Sequence, residues 1–93
     1  MERQKKERLK EIKSRLIKKL PAINKELQEN GVNFNRNQLN QLLDILSVYA
    51  LAEGEEEKNK SSQELKTFLI KMKVREDVVN RLHGLLVGFI TNV

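Results

Sequence analysis

Residues 36–53 read RNQLNQLLDILSVYALAE, and this stretch decides the fold. At 100° per residue its apolar side chains cover well over half of a helical circumference. A helix with so wide an apolar surface is touched from more than one side, so we expect it at the centre of a helical bundle. Asn35 and Gln38 form a capping-box pattern that begins this helix, and Gly54 is expected to end it. The apolar residues are Leu39, Leu42, Leu43, Ile45, Leu46, Val48, Tyr49 and Ala50.

An apolar stripe precedes this stretch and runs through the single proline, Pro21. Because the stripe stays in phase on both sides of the proline, it predicts one long, basic helix that is kinked there. Gly31 is expected to end that helix in a left-handed conformation. The stripe consists of Leu9, Ile12, Leu16, Leu20, Ile23 and Leu27.

Two further helices are expected after the central one. Ser61 to Glu64 is a second capping-box pattern, and the last helix covers about residues 75–91. The acidic run GEEEKNK lies in residues 54–61, which we expect to be a solvated loop. The sequence thus predicts an all-α fold, a small bundle of four or five helices in a single domain over residues 1–93.

The composition excludes several classes of function. The chain has no cysteine and only one histidine, which removes disulfide scaffolds and Cys nucleophiles and argues against a catalytic triad or a metal site. No glycine-rich phosphate loop is present. We therefore predict a protein that is not an enzyme, with no cofactor, no metal and no small-molecule substrate. The sequence also lacks an apolar run of membrane-spanning length, and we expect an intracellular, cytoplasmic protein, or a nuclear one in a eukaryote.

The net charge of +5 is concentrated at one end of the chain. Residues 1–20 hold nine basic and three acidic residues, a balance of +6, whereas residues 21–93 hold nine and ten, a balance of −1. A helix over residues 3–30 would be about 40 Å long, but a compact chain of this size is only about 30 Å across. We therefore expect the basic arm, residues 1–20, either to fold over at Pro21 or to project.

The leading hypothesis is a helical interaction protein whose basic arm binds a protein partner or a second copy of the chain. Apolar residues of the stripe would supply buried area, and the cations around it would orient an acidic partner. The predicted partner-binding residues are Arg3, Lys6, Arg8, Leu9, Lys10, Ile12, Arg15 and Leu16.

Two alternatives remain open at this point. In the first, the arm binds the phosphates of a nucleic acid, and residues 65–90 form a degenerate helix-turn-helix. Leu69 and Lys73 stand where that motif has a small residue and a glycine, and Glu76 and Asp77 would repel phosphates. The second alternative is a small membrane-surface or toxin-neutralising bundle, although cations spread around most of the arm disfavour the membrane.

Gly84 and Gly88 form a G-x-x-x-G pair in the last helix. Each glycine costs a helix about 1 kcal/mol relative to alanine, so a reason for both is expected. The pair predicts a close helix–helix contact, either with a neighbouring helix of the same bundle, which we favour, or with another molecule.

Overall fold

The computed structural model describes the backbone of residues 2–91 and the side chains of residues 6–91. This part of the chain contains five α-helices and no strand, which confirms the predicted all-α bundle. The radius of gyration is 12.8 Å. None of the described helices combines the length and the apolar character needed to cross a membrane. The helices are α1 (Glu2–Lys18), α2 (Leu20–Glu29), α3 (Arg36–Leu51), α4 (Gly54–Lys71) and α5 (Glu76–Thr91).

The break in the first helical segment lies at Lys19, two residues before Pro21. The Lys19 N–H donates to the Leu16 carbonyl at 3.0 Å, a tight final turn that ends α1. Pro21 falls in the first turn of α2, where the missing N–H would have no intrahelical acceptor. The chain therefore bends before the proline, and the predicted kink is a junction between two helices.

Local signals around the central helix behave as the sequence predicts. Gly31 has φ +77°, and the Val32 N–H donates to the Leu27 carbonyl at 2.8 Å, so the turn satisfies the end of α2. The capping box is also confirmed. The Gln38 N–H donates to Asn35 Oδ1 at 2.8 Å, and the Asn35 N–H donates to Gln38 Oε1 at 2.9 Å.

The predicted loop over residues 54–61 is wrong, because α4 begins at Gly54. Residues 53–60 are exposed, so the segment is solvated, but it is helical. Its three consecutive glutamates, residues 55–57, occupy the first turn, where the helix dipole favours acids. Ser61 is consequently a buried residue inside α4 and not its N-cap. Gly54, at φ +79°, starts α4 instead of ending α3.

The central position predicted for α3 is confirmed, because it contacts α1, α4 and α5. Three α3 side chains in the core, those of Leu42, Leu43 and Leu46, have no exposed area. Helix α1 runs antiparallel to α3. Leu9 shares a groove with Val48, whereas Ile17, eight residues later, shares one with Asn40.

Candidate interaction surface

The apolar stripe of α1 belongs mainly to the core. Leu16 is completely buried, and Ile12 packs against the buried cluster. Leu9, Ile12 and Leu20 are half-exposed, and Leu9 lies at the edge of a groove. The part of the basic arm from Leu9 to Ile17 therefore lies along α3. Leu16 is thus corrected from a partner contact to a core residue, because the wide apolar surface of α3 needs α1 as well as α4 and α5 to cover it. The partner-binding roles of Leu9 and Ile12, which are both half-buried, stay a prediction.

The predicted cations of α1 point outwards. Lys6, Arg8, Lys10 and Arg15 are all exposed, and Arg15 pairs with Glu11 on the same helix at 2.9 Å. The side chain of Arg3 lies outside the described residues. Exposed pairs such as Glu11–Arg15 contribute only about 0.2–1 kcal/mol, so they leave these cations available for other anions.

At 100° per residue, five cations of α1 form two rows on opposite sides of the helix, and Lys18 lies between the rows on the solvent side. The seam row consists of Lys6, Lys10 and Lys13 and faces the line along which α1 meets α3. The outer row consists of Arg8 and Arg15. Lys13 fixes this assignment, because its Nζ atom lies 2.6 Å from Asp44 Oδ1 on α3.

The surface where α1 meets α3, here called the seam, contains two open grooves. One, of about 450 Å³, is lined by Ile17, Leu20, Arg36, Leu39, Asn40 and Leu43. The other, of about 380 Å³, is lined by Leu9, Val48, Leu51, Ala52, Glu57, Lys60, Ser61 and Glu64. The Lys13–Asp44 ion pair lies between them along α3. Both grooves are open to solvent, so they suit side chains of another molecule better than an enclosed small ligand.

Gly84 and Gly88 occupy an open face of α5. A Cβ atom built on either glycine would meet nothing within 4 Å. The favoured interpretation, a helix of the same bundle crossing there, is therefore wrong for the described part of the chain. A contact with another molecule at these glycines stays a prediction.

The α4–α5 segment has the buried pattern that suggested a helix-turn-helix. Phe68, Val79 and Leu82 are buried, and Lys73 takes φ +65° at the position of the motif's glycine. That conformation also ends α4 in an ordinary way, since the Val74 N–H donates to the Leu69 carbonyl at 3.1 Å. The first turn of α5 exposes Glu76 and Asp77, a poor surface for phosphates. The acidic turn thus counts against DNA reading by α5.

A polar contact joins α4 to α5 beside the core. Ser62 Oγ lies 2.7 Å from His83 Nε2, and the Tyr49 ring lies 6.2 Å from the imidazole. Burial, and secondarily the nearby Lys66 ammonium, lower the pKa of His83 below its ordinary value. Neutral imidazole is therefore the stable form in the folded protein near pH 7, where it keeps the contact with Ser62.

This lowered pKa predicts a pH dependence of stability. The unfolded chain binds more protons than the folded one between the folded pKa and the unfolded value of about 6.5. The free energy of unfolding should therefore decrease as the pH falls through this window and stay level above it. Urea unfolding at pH 7.5, 6.5 and 5.5 would measure the decrease, which should be smaller in His83→Asn. Equal pH dependence in both proteins would contradict the assignment.

Neither metal-binding side chains among the described residues nor known relatives indicate a function. No group of three or more side chains of the metal-binding types gathers at one point among the described residues. Comparison with protein-family models, with curated proteins and with solved structures finds no match to this chain. Sequence reasoning identified Lys6 and Lys10 of the seam but missed Lys13, Ile17 and Val48, although a helical wheel places Ile17 among the seam row.

Proposed function

We propose that this chain is a non-enzymatic interaction protein, which binds an anionic macromolecular partner through the outward surface of α1. One observation carries the proposal. Helix α1 buries its leucine stripe on α3 and presents Lys6, Arg8, Lys10 and Arg15 to solvent. The cations thus have no role in the core, and their concentration at one end of a nearly neutral body suits them to a partner.

The expected mode of binding is electrostatic steering followed by short-range contact. Several cations within one helix create a local positive potential that raises the association rate with an acidic surface. At physiological ionic strength that potential is screened beyond about 8 Å. Binding should therefore weaken as salt rises, and the final contact has to form at the α1 surface itself.

The charge also argues against a second copy docked through α1. Two copies that face each other through this helix would bring like charges together, which costs free energy. Leu16, the one fully buried side chain of the stripe in the described part of α1, is not available to join them. The partner is accordingly a different molecule with an acidic surface.

Charge reversal of α1 tests the proposal. A variant with Glu at Lys6, Arg8, Lys10 and Arg15 should bind its partner about 30-fold more weakly or worse, if each cation contributes about 0.5 kcal/mol. Partners are captured from an extract of the source cells on the immobilised wild type, and each purified partner is then titrated against the variants. A control variant with the same change in net charge carries Glu at four exposed cations elsewhere: Lys25, Lys58, Lys71 and Arg81.

The control should keep the affinity of the wild type. Partners that bind all three proteins equally would show that α1 is not the contact. Nucleic acid is a separate outcome of the same experiment. Titration with duplex and single-stranded DNA at several salt concentrations would reveal it by a log–log slope of about −0.9 for each phosphate neutralised on the duplex.

A further inference from the structure

We propose that the partner presents an acidic amphipathic helix that lies along the seam between α1 and α3. This inference rests on the proposed function and names the chemistry of the partner. Four large apolar side chains are exposed among the described residues: Ile17, Val48, Ile70 and Leu85. Two of these, Ile17 at 50% and Val48 at 46% exposure, lie in the two grooves of the seam. The seam thus combines apolar anchors with the cations of α1.

The spacing of the anchors matches a helix. Ile17 lies beside Asn40, and Val48 is eight residues further along α3, a distance of about 12 Å at 1.5 Å per residue. Apolar residues at positions i, i+4 and i+8 of a partner helix cover the same 12 Å on one face. A helix placed antiparallel or parallel to α3 can therefore reach both grooves at once, which is the helix-in-groove mode of recognition.

Charge specifies the flanks of that helix. Lys6 and Lys10 border the seam on the α1 side, and Arg36 lines the groove that contains Ile17. The acid on the seam, Asp44, is already paired with Lys13. Acidic residues of the partner are therefore accommodated on its α1-facing flank.

The opposite border of the seam carries a different charge. At the Val48 groove, α4 contributes Glu57, Lys60 and Glu64, a balance of −1. Acids on the α4-facing flank of a partner helix would meet like charge there. The partner helix should therefore be acidic along one flank only, and this asymmetry fixes how it is oriented across the seam.

The test uses a synthetic 18-residue helical peptide with leucines at i, i+4 and i+8 and glutamates along one flank. A second peptide with lysines in place of the glutamates is the charge control. Fluorescence anisotropy should show salt-dependent binding of the acidic peptide and at least tenfold weaker binding of the lysine peptide. Failure of the acidic peptide to bind the wild type would overturn the inference.

Matched substitutions locate the contact. Ile17→Asn and Val48→Asn should each weaken binding of the acidic peptide about tenfold. Ile70→Asn changes a side chain that is 59% exposed on α4, and it should leave the binding affinity unchanged. Equal effects of all three would overturn the inference. Thermal unfolding of each variant, followed by circular dichroism, verifies that the fold is retained.

The two rows of cations separate this inference from the proposed function. The pair Lys6→Glu and Lys10→Glu should abolish measurable peptide binding, and the pair Arg8→Glu and Arg15→Glu should reduce it less than threefold. Equal losses of binding with the two pairs would mean that the charge of α1 attracts the peptide without a contact at the seam. That result would overturn the inference of a partner helix on the seam but would keep the proposal of an anionic partner. If neither pair weakened binding, the inference and the proposed function would both be overturned. If a 20-base-pair DNA duplex also displaces the peptide and binds Val48→Asn as tightly as the wild type, the surface belongs to nucleic acid and the inference is overturned.

Discussion

Leu16→Ala is expected to lower the free energy of unfolding by about 3 kcal/mol, within the range of 2–5 kcal/mol for buried leucines. The side chain has no exposed area and packs in the core beneath α1. Truncation removes its burial and leaves a cavity that the rigid ends of α1 and α2 cannot close fully. For a chain of this length the loss corresponds to a fall in Tm of more than about 10 °C.

Urea or thermal unfolding of Leu16→Ala and Leu9→Ala side by side provides the measurement. Leu9→Ala is the matched control, because it removes the same atoms from the same stripe at a half-exposed position. We expect Leu9→Ala to lower the free energy of unfolding by less than about 1 kcal/mol. A Leu16→Ala protein that unfolds like the wild type but loses its partner would show that the stripe is an interface and contradict the packing of α1 on α3.

The burial of Leu16 makes deletion of the basic arm a poor test of binding by α1. Deletion of residues 1–20 would remove Leu16 and Ile12 and uncover the apolar surface of α3 on which they pack. A loss of binding after such a deletion could therefore result from unfolding of the bundle or from removal of the contact, and the experiment would not distinguish the two. Substitution of exposed cations keeps the core intact, so it isolates the charge of the helix from its packing.

The helices of the bundle could be predicted because their signals are local. The 3.6-residue periodicity of α3, the Asn35–Gln38 capping box and the turn at Gly31 each depend on residues close together in the chain. Residues 54–60 carry no such apolar period, since this part of α4 is solvated on all sides. The helix dipole, helix propensity and a hydrogen bond from the Glu53 N–H to Glu57 Oε2 at 2.8 Å stabilise α4 there. Their sequence signals are weak, so a polar sequence of this kind is read as a loop.

The candidate site could be predicted only in part. A charge count identifies the cations of α1, but a helical wheel cannot show which molecule covers Leu16. That question depends on α3, which begins twenty residues later in the chain. The same long-range packing creates the seam, because Val48 becomes a neighbour of Ile17 and the cations only when α1 and α3 dock antiparallel.

Phe68→Ala is the second substitution with a large expected effect, a loss of about 3 kcal/mol at the low end of the range for buried phenylalanines. Phe68 is 7% exposed, and its ring meets Phe34 edge-on with centroids 5.7 Å apart. Phe34 lies in the connection between α2 and α3, so this contact joins two segments of the bundle that are distant in sequence. Gln38 reinforces the junction, since its Nε2 atom donates to Met72 Sδ at 3.2 Å.

A double-mutant cycle with Phe34→Leu measures the aromatic contact itself. The coupling free energy should be about 0.5–1.5 kcal/mol, and a value near zero would contradict the edge-on packing. Phe68 lies outside the two grooves of the seam, so Phe68→Ala should leave binding of the acidic peptide unchanged once the unfolded fraction is subtracted. Val48→Asn should behave in the opposite way, with weakened binding and little loss of stability, because its side chain is half exposed. Opposite responses of these two residues would show that the seam and the core act independently.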